Sequence, residues 1–223
     1  MAEDEQKITV RPHGPYLVRG DIPLVRKSQA MSEYGEPLDW KREAVLETTE
    51  TYRLCRCGQS QNKPFCDGSH TLAGFDGEET ADTGDISGRE KLFEGEGMVL
   101  KDDHSLCVHA GFCGTRLTNI WAMMKESGDP EMKAKIIAMI EFCPSGTLTY
   151  APDEDSETVE QDLPKEIGVV ADGPLWVSGG ITVERRDGKA MEVRNRVTLC
   201  RCGQSANKPF CDGAHKDVGF ADS

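Results

Sequence analysis

A sixteen-residue pattern occurs twice, near opposite ends of the chain: CRCGQSQNKPFCDGSH from Cys55 to His70 and CRCGQSANKPFCDGAH from Cys200 to His215. Fourteen of the sixteen positions are identical, the exceptions being Gln61/Ala206 and Ser69/Ala214. Both copies continue to a Gly-Phe at the same offset, Gly74-Phe75 and Gly219-Phe220. Upstream, GPYLVRGDIPL from Gly14 resembles GPLWVSGGITV from Gly173, but at a spacing of 159 residues against 145 for the cysteine patterns. The first copy therefore carries 14 extra residues, which the polar stretch 27–42 accommodates best. The repeat units run over about 7–75 and 166–220, and internal repetition of this kind constrains the fold more than any local propensity.

Within each unit, short alternating runs read as strands separated by glycine turns: Tyr16-Leu17-Val18 and Ile22-Pro23-Leu24, then Leu175-Trp176-Val177 and Ile181-Thr182-Val183. Arg186-Asp187-Gly188-Lys189 reads as a hairpin turn, with 190–199 as the strand entering the second motif. Asp67 and Asp212 are placed to cap a short helix beginning beside each histidine. Two acidic stretches, 76–96 and 152–166, read as solvated linkers. They bracket a middle segment with a strand at 98–101, helices over 115–125 and 131–142, and a closing strand at 147–150. The second helix carries Met132, Ile136, Met139 and Ile140 at helical spacing, a packing face. The domain plan is 7–75, a linker at 76–91, a middle domain at 92–150, a linker at 151–165, and 166–220. The fold class is α+β.

Composition narrows the function classes. With 39 Asp plus Glu against 26 Lys plus Arg, the net charge is −13, which argues against nucleic acid or an anionic membrane surface as the main partner. MAEDEQK has neither a basic n-region nor an apolar h-region, and the longest mostly apolar run, 136–140, is too short to cross a bilayer. The expectation is a cytoplasmic protein in a reducing compartment, where cysteines stay thiols unless a metal takes them. Nine cysteines is an odd number, so complete internal disulfide pairing is excluded.

Each end motif offers three cysteines and one histidine as C-x-C-x8-C-x3-H. Thiolates are soft ligands, and four N/S donors so close together suit either tetrahedral zinc or the terminal positions of a [2Fe-2S] cluster. Spacing alone leaves both open. The pattern Cys-x-Cys-x2-Ser-x3-Pro-x-Cys-Asp-Gly-(Ser/Ala)-His resembles the CDGSH motif of the NEET iron-sulfur family, twice over, as do the flanking Gly-Pro-x-x-Val-x-Gly and the trailing Gly-Phe. The resemblance implies that Cys55, Cys57, Cys66 and His70 hold one [2Fe-2S] cluster and that Cys200, Cys202, Cys211 and His215 hold another. It further implies two β-rich modules paired as an internal pseudo-dimer within a monomer. Pairing also answers a physical problem, because a unit of this size is marginal alone. Lys63 and Lys208 sit either in the field of a cluster or as exposed solubilising charges. Asp67 and Asp212 read as supports rather than ligands.

Three cysteines remain: Cys107 and Cys113 in HSLCVHAGFCG and Cys143 in EFCPSG. Unrelated core cysteines are the plainer reading. The set resembles a divergent single-cluster ferredoxin-like domain, its marks being His104, Cys107, His109, Cys113 and Cys143-Pro144-Ser145-Gly146. Ala110 stands where that pattern has its middle cysteine. Three thiolates without a fourth favour a [3Fe-4S] cluster. A [4Fe-4S] cluster forms instead where His109, His104, Asp102, Asp103 or solvent serves the fourth iron.

No G-x-G-x-x-G or G-x-x-x-x-G-K-[ST] pattern occurs, and every strongly marked residue is already a candidate ligand. The reading is a non-enzymatic iron-sulfur electron carrier passing single electrons between partner proteins, its acidic surface suiting a basic patch on a reductase or oxidoreductase. The rival reading is cluster delivery to apo-acceptor proteins, or redox and pH sensing. A redox subunit serving a catalytic partner is a third.

Overall fold

The computed structural model describes residues 6–188 and 191–222. The first copy supplies strands β1 (Lys7–Val10), β2 (Tyr16–Arg19), β3 (Leu24–Met31), β4 (Pro37–Leu46) and β5 (Thr51–Leu54), then the helical turn α1 (Ser69–Leu72). The middle segment supplies β6 (Lys91–Gly95), β7 (Met98–Asp102), α2 (Ile120–Met123), α3 (Pro130–Glu141) and β8 (Leu148–Ala151). The second copy gives β9 (Glu166–Val170), β10 (Leu175–Ser178), β11 (Thr182–Glu184), β12 (Arg196–Leu199) and α4 (Ala214–Asp217). Sheets predominate and helices are few and short. The chain divides into two units, one of Met1–Ser28, Arg42–Thr83 and Leu163–Ser223, the other of Gln29–Lys41 and Gly84–Asp162.

The first unit is built from two sheets that trade strands. One sheet has the order β11-β1-β2-β5 and the other β12-β10-β9-β3-β4. Each holds the first, second and last strands of one copy; the first accepts the third strand of the second copy, and the second accepts the third and fourth strands of the first. The accepted third strands pair parallel, β11 on β1 with Ile8 opposite Val183, and β3 on β9 with Val25 opposite Gly168. Ile8, Val10, Tyr16, Val18, Leu24 and Leu54 from the first copy and Ile167, Val169, Leu175 and Leu199 from the second are all closed to solvent. Burying apolar area from both copies together supplies the core that neither has alone. At Gly168 a Cβ would come within 2.8 Å of the Lys27 side chain. The glycine thus leaves room for the lysine stem, whose ammonium lies 2.8 Å from Glu166 and 3.9 Å from the centre of the Trp176 ring. This pairing satisfies two buried charges that would each be costly alone.

The two motif loops meet backbone to backbone. A Cβ on Gly58 would fall 2.7 Å from the Cys202 carbonyl oxygen, and one on Gly203 would fall 2.8 Å from that of Cys57. Both glycines also have left-handed φ, 77° and 80°. Tyr16 crosses between copies, its buried hydroxyl donating to the carbonyls of Cys200 and Pro209 at 2.9 and 3.0 Å.

In the second unit a three-stranded sheet, β6-β7-β8, packs on the helices. Ile136 and Ile140 of α3 join Met98, Leu100, Ile120, Met123, Met124 and Leu148 in its core, with Met132 and Met139 half-buried against it. Asp129 caps α3 by accepting the Met132 N–H, and Pro130 occupies the first turn, where no partner for its nitrogen is needed. The extra residues of the first copy form the outer part of the β3–β4 hairpin, and Gln29–Lys41 belongs to this unit. Gln29 donates to the Ala110 carbonyl at 2.7 Å, and Trp40 donates from Nε1 to the Phe142 carbonyl at 2.9 Å. The Trp40 and Phe112 rings lie 5.2 Å apart, and Phe112 stacks on Phe142 at 5.1 Å. Pro37 closes on Gly111, where a Cβ would meet it at 3.2 Å.

Several local expectations are corrected. The helix read over 115–125 is helical only from Ile120, because Thr115 Oγ1 accepts the Leu117 and Thr118 amides in a tight turn and Asn119 then caps α2 through Ala122 N–H. The strand read over 190–199 is confined to Arg196–Leu199 among the described residues, Ala190 lying outside them. The hairpin turn is present as far as Gly188, whose N–H reaches the Arg185 carbonyl, while Lys189 lies outside the described residues. Ile22 is buried but precedes β3, which begins at Leu24. The acidic stretch 76–96 is more than a solvated linker. Residues 91–95 pair with β7, and the Thr80 and Ala81 amides bond the Lys208 carbonyl at 2.8 and 2.9 Å. Helix α1 is capped by Gly68 at φ 92°, with Asp67 one residue farther out accepting the Ser69 amide.

Two outcomes test these contacts. Gly58→Ala and Gly203→Ala each combine a left-handed backbone with a collision against carbonyl oxygen, so each is expected to destabilise the first unit by at least about 2 kcal/mol, read as a lowered thermal midpoint. Trp40→Ala removes an aromatic contact and leaves the Phe142 carbonyl without its indole donor, at a cost of about 2 kcal/mol. Hydrogen exchange in 107–113 is expected to speed up while 200–215 stays protected.

Candidate metal centres

Strand β5 delivers Cys55, and the loop folds back so that Leu54 bridges Phe65, Cys55 N–H bonds the Pro64 carbonyl at 2.8 Å and Cys66 N–H bonds the Arg53 carbonyl at 3.0 Å. Ser60 ties the loop shut by donating to the Phe65 carbonyl at 2.6 Å. The second copy repeats this with Leu199 and Phe210, Cys200 to Pro209, Cys211 to Thr198, and Ser205 to Phe210. Each histidine follows a left-handed glycine, Gly68 or Gly213, both at φ 92°. That turn brings the ring back over the preceding cysteine.

The four donors of each motif gather as two pairs. Cys55 and Cys57 sulfurs lie 3.8 Å apart, and Cys66 sulfur lies 3.4 Å from His70 Nδ1. In the second copy the Cys200–Cys202 and Cys211–His215 distances are 3.7 and 3.3 Å. Two ligands on one tetrahedral metal with bonds of about 2.3 Å to sulfur and about 2.0 Å to nitrogen stand about 3.8 Å (S···S) and about 3.5 Å (S···N) apart. Each pair therefore has the span of a single metal. Among the described residues no group of three or more His, Cys, Asp or Glu converges on one ion. Two metals, each held by one pair, fit this donor set.

One thiol of each motif is shifted toward thiolate and the other two toward the protonated form. Cys55 is lowered to about 5 and Cys200 to about 6, first because Cys57 and Cys202 donate to them and then through loop amides, against the opposing effect of burial. Their partners are pushed up, being the ones that keep the shared proton. Burial raises Cys66 and takes Cys211 to about 12, so metal binding there must displace a proton. His215 is lowered by burial, which favours the neutral, ligating imidazole. Asp67 and Asp212 each accept two loop amides, from Gln61 and Ser69 and from Ala206 and Ala214. Lys208 bonds the Ser205 carbonyl at 2.8 Å, and the Lys63 ammonium lies 6.0 Å from the Phe220 ring.

Sequence reasoning passed over the arginine inside each Cys-x-Cys. Arg56 and Arg201 are fully buried. Arg201 donates to the carbonyls of Gly173 and Val170 and pairs with Asp222, its guanidinium 5.1 Å from the Phe220 ring. Arg56 donates to the Gly77 carbonyl and lies 5.6 Å from the rings of Tyr16 and Phe75. The Phe of each recurring Gly-Phe flank is thus a contact of these arginines, as is the Gly-Pro flank of the second copy, and repetition of these flanks around Cys-Arg-Cys was the available signal.

In the second unit Cys107, Cys113 and Cys143 line one cavity of about 290 Å³ with His104, His109 and Ala110. Burial raises the Cys113 thiol, and charge on Cys107 and Cys143 raises it further, so the three sulfurs share one field. The loop from Cys107 to Cys113 curls through left-handed residues, His109 at φ 54° and Gly111 at φ 92°. His109 Nδ1 lies 3.9 Å from Cys107 sulfur, whereas His104 Nδ1 lies 3.8 Å from Asp102. Three soft donors around a cavity fit a multi-iron cluster. Asp102 is turned to Trp121, whose indole donates to it, and Asp103 to Arg89.

The comparisons with known proteins agree with this geometry. A family model described as iron-binding zinc finger, CDGSH type, matches 13–71 and 172–216, and one described as a divergent 4Fe-4S mono-cluster matches 93–153. The second is a four-iron description and lends no support to the three-iron expectation drawn from Ala110. The mouse (Mus musculus) protein "CDGSH iron-sulfur domain-containing protein 3, mitochondrial" is 71% identical over 21 residues, 9% of this chain and 15% of that protein. The match thus spans a small part of that relative's length. With two CDGSH regions flanking a divergent 4Fe-4S region, the chain is a CDGSH-type iron-sulfur protein.

Proposed function

We propose that the protein carries single electrons between partner redox proteins, using a [2Fe-2S] cluster at each CDGSH motif and a [4Fe-4S] cluster in the middle domain. The observation that carries this reading is the gathering of each motif's ligands into two pairs of single-metal span, in a chain whose marked residues are ligands rather than nucleophiles or acid-base groups. Bound clusters supply one-electron storage. The residues supply the rest. Cys55, Cys57 and Cys200, Cys202 hold one metal of each pair, and Cys66, His70 and Cys211, His215 hold the other. Cys107, Cys113 and Cys143 hold the middle cluster with His109 as fourth ligand, since His109 stands in a left-handed loop position beside Cys107 while His104 faces Asp102. The strand exchange, Tyr16 and the Gly58 and Gly203 contacts support an internal pseudo-dimer within a monomer. A cytoplasmic setting and non-enzymatic action complete the proposal.

Cluster delivery is the second reading, favoured by one observation: Cys66 and His70 are half-buried rather than closed off. Stopped-flow exchange with a flavin reductase faster than transfer of iron and sulfide to an apo-ferredoxin supports the carrier; the reverse order supports delivery. Iron and sulfide analysis is expected to give about eight of each per chain, and His109→Ala is expected to convert the middle cluster to a three-iron spin-resonance signal. Persistence of an intact four-iron signal in that variant sinks the assignment of His109.

Histidine ligation sets a pH dependence. The folded environment depresses His215, so neutral ligation there is secure above the ordinary histidine range of about 6.5 and is lost as pH falls through and below it. His70→Cys and His215→Cys replace a neutral ligand by an anionic one. Each is expected to lower one cluster's potential by on the order of 100 mV and to slow its loss of colour in acid. Unchanged acid bleaching in both variants would mean that histidine is not the labile ligand.

A further inference from the structure

The two CDGSH sites are repeats in sequence, yet their surroundings differ in a way that assigns them different roles. The turn before β2 and the turn before β10 share one hydrogen-bond pattern, position by position. Arg11 N–H bonds the Pro15 carbonyl and Gly14 N–H the Arg11 carbonyl, while Val170 N–H bonds the Pro174 carbonyl and Gly173 N–H the Val170 carbonyl. His13 and Asp172 share the left-handed backbone at φ 44° and 49°. Arg11 thus corresponds to Val170 and His13 to Asp172. From the cysteine motifs, Arg53 corresponds to Thr198. The chemistry at these positions has diverged. Arg11 and Arg53 are exposed, whereas Val170 is 8% and Thr198 1% exposed. The ligands follow suit, with Cys66 and His70 half-buried against 1% for Cys211 and 7% for His215.

Around the first site this leaves an open recess lined by Arg11, Arg53, Gly14, Gly68, Cys66 and His70. Among the described residues neither guanidinium has a carboxylate partner. Asp67 accepts the Gln61 and Ser69 amides, and Asp76 lies 3.4 Å from His13. Glu47 lines a second recess that Arg53 and Cys66 also border. Asp67 has its equivalent in Asp212, so it does not separate the two sites. Two unpaired arginines beside a ligand histidine, in a chain of net charge −13, form a local basic spot.

We infer that the first CDGSH site is the protein's exchange port and that it docks a redox protein whose own centre is ringed by carboxylates, while the second site is closed to partners. Opposite charge steers encounter and orients the partner's centre toward His70, and it does so most strongly at low salt. This rests on the electron-carrier reading. At the port one electron leaves the reduced iron pair for the oxidised partner centre, with no bond or proton exchanged.

The test uses the full, cluster-loaded chain. An oxidised acidic plant-type [2Fe-2S] ferredoxin is titrated into the oxidised protein by calorimetry, so that binding is read without electron flow. Arg11→Glu/Arg53→Glu is expected to weaken binding about tenfold at low salt and to flatten its salt dependence. The control Lys125→Glu/Lys135→Glu changes net charge equally on exposed positions elsewhere and is expected to change binding less than about twofold. Equal effects from both doubles, or none from either, overturn the port. Competition by inorganic phosphate or a DNA oligonucleotide at similar concentration also overturns it, as a general anion site. In a second readout, ferricyanide oxidises the reduced protein. Two [2Fe-2S] phases are expected, the fast one assigned to the first site by its altered spectrum in His70→Cys and slowed by the arginine double. A single shared rate for both clusters overturns the asymmetry. Charge-dependent binding without electron exchange would leave the port standing and defeat the carrier reading.

Discussion

The two Cys-x-Cys loops meet backbone to backbone, where a Cβ on Gly58 would fall 2.7 Å from the Cys202 carbonyl oxygen and one on Gly203 2.8 Å from that of Cys57. Only a residue without a side chain tolerates both this distance and the left-handed backbone. Everything else in the first unit serves that meeting. Exchange of β3 and β11 joins the two copies through parallel ladders, and the buried Tyr16 hydroxyl spans from one copy to the other's motif backbone. Each cluster loop is therefore held partly by residues of its sister copy, and neither half has a complete core without the other.

Placing ligands in such a scaffold has an electrostatic consequence. Cys55 and Cys200 are stabilised as thiolates by a neighbouring thiol and by loop amides, while Cys66 and Cys211 are raised by burial. Each motif thus sets one sulfur held as thiolate, Cys55 or Cys200, against a cysteine beside the histidine that burial raises and from which a metal must displace a proton. The buried Arg56 and Arg201 add positive charge beside this anionic chemistry and lie against the Phe75 and Phe220 rings of the two Gly-Phe flanks, Arg201 also bonding the Gly173 carbonyl.

Repetition preserved the ligands and released their surroundings. Arg11, His13 and Arg53 of the first copy stand where the second has Val170, Asp172 and Thr198, so one site opens on a basic recess and the other lies inside. The 14 extra residues of the first copy took on a separate task. Their hairpin ties Gln29 to Ala110, Pro37 to Gly111 and Trp40 to Phe112 in the loop that carries Cys107 and Cys113, and Trp40 also to Phe142 beside Cys143.

The repeat and the presence of two CDGSH-type regions around a divergent 4Fe-4S region were legible in the sequence, because residue type at short spacing is written locally. So was the packing face of α3, whose period is a property of the helix alone. Division of four ligands into two metal-sized pairs was not legible, since it depends on how Gly68 and Gly213 turn the histidines back. Strand exchange, the buried arginines, the hairpin over the middle loop and the difference in exposure between His70 and His215 were likewise decided only by the tertiary structure. Each arises from contacts between residues tens to hundreds of positions apart, and near-identical motifs carry no local mark of which neighbours the rest of the chain will bring to them.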